Sequence, residues 1–397
     1  MHIVNNNEAC TNLWSSALKR RVEEIKVPPK DNGFRYVGEW KDGIKEGHGV
    51  YSYVNGDIYE GNWKNGKKDG KGLYKYIAGH TYNGTYNDGK KEGKGVYTYV
   101  SGDVYIGDYQ DDKQEGHGVY TFANGDIYDG VWVSGKKEGR GVYTYPNGNV
   151  FEGEWKNDKK EGKGIFKYFD GSFYEGDYKD DMEEGRGVYT YKCGNKYDGE
   201  WKGGNRDGQG ILTYENGNMY YGHWKDDIKV GQGVYTYKCG NVFDGEWKDG
   251  DRDGHGVLTY ESGDIYDGEW KNDAEEGRGV YTYKCGNVYD GEWKGGNRDG
   301  HGVLTLTTGD VYDGEWKGGK KEGRGVYTYK CGNVYDGEWK NGNREGHGVL
   351  THATGDVYDG EWKGGKKDGR GILKYTNGNI YDGEWRDDSP IDIPSNA

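Results

Sequence analysis

Two short stretches of alternating apolar and polar residues recur along this chain without slippage. The first, "YVGEW" at 36–40, returns every 23 residues as far as "YDGEW" at 381–385, and the second, "GVYSY" at 49–53, returns in variant form in each of fifteen complete units. Alternation with period two is the mark of a strand whose side chains point to two faces. Two strands per unit make a hairpin. The pattern therefore predicts an all-β chain, an elongated single-layer antiparallel β-meander solenoid of fifteen hairpin repeats plus a truncated sixteenth over 36–386.

Places are numbered here within each unit from its leading aromatic. Glycine fills place 3 in all sixteen registers and places 12, 14 and 21 in all fifteen complete units, which accounts for 61 of the 76 glycines. Place 5 is Trp in thirteen units and Tyr in three, Tyr86, Tyr109 and Tyr178. The first link of each unit, such as Gly318 to Gly323, reads as a polar loop of about six residues. The second contains Asn-Gly, Ser-Gly, Thr-Gly or Cys-Gly and reads as a tight turn.

If that turn is a three-residue loop closed by a Gly bulge, place 18 pairs with 22, place 16 with the next unit's place 1, and place 14 with its place 3. Aromatic then meets aromatic. Tyr281, Tyr283, Tyr289 and Trp293 line one face, as do Tyr327, Tyr329, Tyr335 and Trp339, a candidate protein-binding surface. Gly279 and Gly291 leave room for rings to lie flat. A two-residue turn would scatter the aromatics over both faces. Fully extended, fifteen hairpins at about 4.8 Å per strand predict a ribbon on the order of 140 Å long.

The ends depart from the repeat. Leu13, Ala17, Leu18, Val22 and Ile25 fall on one helical stripe ended by Pro28-Pro29, which predicts a short N-terminal helix and makes 1–35 a cap or extension. Residues 387–397 show no pattern and are expected to form a mobile tail.

Composition narrows the function. A hydrophobic fraction of 32% with 15% aromatic residues suits a thin ordered sheet. The net charge of −14 disfavours nucleic acid as a partner. There is no apolar run of about 18 residues and no signal-peptide pattern, so a cytoplasmic location is expected. Cys193, Cys239, Cys285 and Cys331 share one place in alternate units, roughly 19 Å apart, too far for a bridge or a shared zinc. With Cys10 they read as unpaired thiols. Asp249, Asp251 and Asp253 imitate the start of a calcium loop, but its last ligand position holds Tyr260. His48, His117, His255, His301 and His347 share place 13 and read as exposed strand residues. No catalytic set, metal site or cofactor site emerges beyond the periodicity, and the chain reads as non-enzymatic.

Charge is uneven. Units 1–6 sum to −2, units 7–12 to −12 and units 13–15 to +2, while unit two alone carries +3. Lys67, Lys68, Lys71 and Lys75 of that unit are therefore the candidate contact with an anionic or phosphoinositide membrane.

A "YxGxW" run followed by "GxG" and a turn glycine at a period of 23 resembles the MORN (membrane occupation and recognition nexus) repeat family, over residues 36–386. The resemblance implies an elongated β-meander. Its functions vary: junctophilins at membrane contacts, plant phosphatidylinositol phosphate kinases, radial spoke heads, protozoan cytoskeletal scaffolds and a histone methyltransferase. Residues 1–35 and 387–397 contain no kinase or methyltransferase segment, so the chain resembles the array-only scaffold members. That implies other proteins as partners, a possible cytoskeletal or ciliary assembly, and self-association through terminal repeats. Phosphoinositide binding is the alternative, and a role accessory to a lipid kinase the remote one.

Overall fold

The computed structural model describes residues 35–391. The N-terminal helix expected over residues 8–26, and Cys10, lie outside them. Among the described residues there are 32 strands and no helix. The chain divides into two compact units at Lys137/Glu138. Within each, strands pair antiparallel with their neighbours in chain order, as in the first unit from Arg35–Lys41 onward and in the second from Val150–Lys156 onward.

Each hairpin joins a seven-residue strand to one of nine, for example Val311–Lys317 to Lys320–Thr328. The link between them is a two-residue turn and not the six-residue loop expected from its polarity. Lys317 faces Lys320 directly. Both turn residues have positive φ, as in Asn65 (50°) and Gly66 (81°), the turn whose twist matches that of the flanking strands. Beyond it lies a bulge. Between the pairs Trp316–Lys321 and Gly314–Gly325, the single residue Glu315 faces three, Glu322 to Arg324. Gly323 at the bulge adopts φ +62°, which explains why place 12 is always glycine.

The second link has the register the sequence predicts. Tyr281 pairs with Tyr289 and Gly279 with Gly291, while Tyr283 N–H donates to the Asn287 carbonyl at 2.9 Å. All aromatic places therefore share one face.

Side chains staple each hairpin to the next. In most hairpins a place-11 carboxylate accepts the turn N–H of the following unit: Glu322 from Asn341 at 2.9 Å, Glu345 from Gly364 at 2.8 Å. At the opposite rim, Asp310 accepts from Lys330 N–H and Asn333 from Ala353 N–H, at 2.8 and 2.9 Å. At the C-terminus pairing runs past the repeat pattern, into the segment expected to be mobile. Ser389 and Pro390 pair with Arg386 and Trp385, and Ile391 N–H donates to Glu384. Residues 392–397 lie outside the described part.

Candidate partner-binding face

The aromatic face has two levels. At its floor, each place-1 ring lies across the two glycines that pair beneath it; a Cβ on Gly302 would overlap the ring of Tyr289, and one on Gly291 would meet its hydroxyl and the Gly302 Cα. The Tyr289 hydroxyl donates to the Glu292 carbonyl at 3.0 Å. Place-5 indoles wedge between these rings edge-to-face: Trp316 lies 5.2 Å from both Tyr289 and Tyr312, with interplanar angles of 81° and 87°. Its Nε1–H donates to the Gly302 carbonyl at 2.9 Å. Each indole from Trp63 onward thus locks onto the preceding hairpin, and Trp40, which has none before it, is 57% exposed against 6% for Trp63.

Above this floor sit the residues at places 16 and 18. Tyr281, Tyr283, Tyr327 and Tyr329 are half-buried and reach the surface, while Tyr289, Trp293, Tyr335 and Trp339 are buried. The eight predicted aromatics therefore stand together on one face, but only the first four are placed to touch a partner. Neighbouring rings such as Tyr327 and Tyr329 tilt at 51° with centroids 4.5 Å apart. Burial, followed by the charge of Asp310, pushes the Tyr327 hydroxyl up to about 12. The Tyr327 hydroxyl therefore acts as a neutral donor and acceptor.

A third component of the face is not evident from the sequence pattern. Because the bulge returns place 10 to the aromatic face, the cation there lies over the rings. Lys321 Nζ is 4.3 Å from the Tyr327 centroid and 4.8 Å from that of Trp339. Arg298 and Arg344 stack on Trp316 and Trp362 at 4.4 and 4.2 Å. Lys45, Lys68, Lys91, Lys160, Lys229 and Lys367 hold the same place, and burial lowers the ammonium pKa of each. The recurrence of Lys or Arg one residue after the start of a nine-residue strand was visible in the sequence, but a loop assignment gave it no direction.

The four unit-two lysines do not form one patch. Lys67 is ion-paired with Asp88 at 2.5 Å, and Lys68 lies on the aromatic face over Tyr74 and Tyr86. Lys71 is exposed, and Lys75 is half-buried. The outer face carries a row of His–Asp contacts instead: His117, His255, His301 and His347 meet Asp129, Asp267, Asp313 and Asp359 at 2.9–3.1 Å. Cys193, Cys239, Cys285 and Cys331 are exposed free thiols. No group of His, Cys, Asp and Glu among the described residues is arranged to hold a metal.

A ladder of stapled hairpins with an aromatic floor in each unit defines a β-hairpin repeat protein. The MORN repeat profile matches fifteen consecutive segments from 36–58 to 358–380, and the chain belongs to the MORN repeat family. No curated protein matches it. Similar solved structures include the TCP10 domain of Danio rerio CPAP in complex with a peptide of Danio rerio STIL, at 13% identity and TM-score 0.25 over 66% of this chain and 99% of that one. Virginiamycin B lyase from Staphylococcus aureus aligns at 12% identity and TM-score 0.13 over 70% of this chain and 84% of that one. Similarities at these TM-scores establish no shared fold and bear on neither partner nor activity.

Proposed function

We propose that this chain is a non-enzymatic scaffold that holds other proteins on its aromatic face. The observation that carries this reading is the upper level of that face, where half-buried tyrosines such as Tyr281, Tyr283, Tyr327 and Tyr329, and leucines in alternating hairpins of the second half, stand beside ring-stacked cations. Tyrosine and arginine bury apolar area while keeping a polar tip, which is why they dominate contact surfaces. The ladder beneath is fixed by paired backbone and by indole locks, so little ordering is lost when a partner docks.

The scaffold reading is tested by capturing partners from the native cell with the intact chain and with a variant carrying Tyr327→Ala and Tyr329→Ala. Protein partners retained by the intact chain and depleted with the variant support it. Recovery of lipid without protein, or capture indifferent to the two substitutions, counts against it.

A further inference from the structure

The place-10 cations fall into two classes, set by one turn residue of the following hairpin. Where that residue is Asp a carboxylate stands near the cation, and with arginine it forms an ion pair: Arg206 pairs with Asp227 at 2.8 Å and Arg252 with Asp273 at 3.0 Å. Asp112, Asp181 and Asp388 stand at the same turn position and accept the backbone N–H of Lys91, Lys160 and Lys367, each at 2.9 Å. Their charges raise the pKa of those lysines against the effect of burial. Where the residue is Gly, that partner is missing.

Three consecutive hairpins of the second unit belong to the glycine class. Arg298, Lys321 and Arg344 precede Gly319, Gly342 and Gly365, and none has an ion pair among the described residues. Arg344 spends one N–H on the Gly365 carbonyl at 2.6 Å. Burial first, then the charge of Arg298, brings Lys321 down to about 8, and Asp310 opposes this only in part. The row is bounded by Glu275 at place 10 on one side and by Lys367 with its Asp388 on the other. A half-buried cation without a counter-charge is costly, and a bound carboxylate would relieve that cost.

We propose that Arg298, Lys321 and Arg344 form an anion-reading row that binds an acidic, proline-containing segment of a partner protein, one carboxylate to each hairpin. This rests on the scaffold reading and specifies its ligand. Spacing selects the conformation. Successive hairpins advance by two strand spacings, about 9.6 Å. A polyproline II segment has three residues per turn at about 3.1 Å each, so every third side chain returns to the same face after about 9.3 Å. A β-strand repeats its face at about 6.7 Å and an α-helix after two turns at about 10.8 Å, so each falls out of step within three hairpins. Proline rings suit the exposed ring faces of Tyr327 and Tyr329 and bring little conformational entropy to lose. A denser polyanion would meet Glu275 and Asp388 at the ends of the row.

The protein supplies its own blocking substitution. A Cβ at Gly319, Gly342 or Gly365 meets no atom within 4 Å, and Asp occupies the equivalent turn position at φ between 66° and 74° in six other hairpins, from Asp112 to Asp388. The test is fluorescence anisotropy of the intact chain with labelled (Pro-Pro-Glu)4 at about 0.15 M salt, beside (Pro-Pro-Lys)4 and a peptide with glutamate at every second residue. We expect (Pro-Pro-Glu)4 to bind about tenfold or more tighter than either comparison. Gly319→Asp, Gly342→Asp and Gly365→Asp together should remove that advantage with the circular dichroism spectrum and melting temperature unchanged, and Lys321→Gln should weaken binding in the same direction. Equal binding of the two glutamate spacings, or binding that survives the three aspartates, would overturn the inference. The two readings fail separately, because natural partners still captured by the triple variant would sink the acidic-segment row and leave the scaffold standing.

Discussion

At the scale of single residues, the fold is held by rings lying on glycines. Gly302 is the clearest case: a Cβ there overlaps the Tyr289 ring, which is buried and has nowhere to move. Gly302→Ala is expected to cost about 1–3 kcal/mol by overpacking, measured as a lower urea midpoint. An unchanged midpoint would mean that the ring is not seated as described. Protonation adds a second residue-scale expectation. The ammonium of Lys321 is lowered to about 8 by burial, so the unfolded chain binds more protons than the folded one between pH 8 and the ordinary lysine value; stability from this group rises with pH across that window. The buried tyrosines act in the opposite sense. Tyr289, Tyr312, Tyr335 and others are raised by burial, so above about pH 10 they ionise only in the unfolded chain and stability falls. Melting curves from pH 8 to 11.5 should pass a shallow maximum and then drop steeply; a flat profile above pH 10 would contradict the buried tyrosine floor.

At the scale of the hairpin, the sequence was legible wherever a glycine or an aromatic had a single role. The Asn-Gly and Cys-Gly turns were read in their correct register, because only that register puts Tyr281 opposite Tyr289. The Lys-Lys-Glu-Gly stretch, loop-like in its polarity, is strand in the structure. Its polarity has a different origin: Lys320 and Glu322 belong to a strand, with the glutamate spent on the next turn and the bulge at Gly323 interrupting the alternation that marks strands. The cation at place 10 stayed invisible for the same reason. The turn itself makes a prediction. Asn341 has φ 50°, a conformation tolerated by Asn and strained for a β-branched residue, so Asn341→Val should lower stability by about 1–2 kcal/mol. Hydrogen exchange should then speed up in the strands flanking 341–342 and stay slow elsewhere, since repeats interact mainly with their neighbours. Exchange accelerated uniformly over the chain would argue against independent hairpin stapling.

At the scale of the molecule, charge and chemistry are spread in stripes instead of being gathered in a site. Units 7–12 sum to −12, which opposes any broad approach to an anionic bilayer. Of the unit-two lysines, Lys67 is held by Asp88 and Lys68 by rings. Sedimentation with phosphoinositide-containing vesicles at about 0.15 M salt is accordingly expected to leave most of the chain in solution. Strong cosedimentation lost on replacing Lys67, Lys68, Lys71 and Lys75 with Glu would shift the account toward the membrane. Partners are proposed to sit on the aromatic face and not on the outer one that carries the His–Asp contacts. Photo-crosslinking in the native cell separates these most directly, with the photoreactive amino acid p-benzoylphenylalanine at residue 329 on the aromatic face or at residue 336 on the outer face. Protein adducts from position 329 and few from 336 are the predicted result, and adducts predominantly from 336 would contradict it.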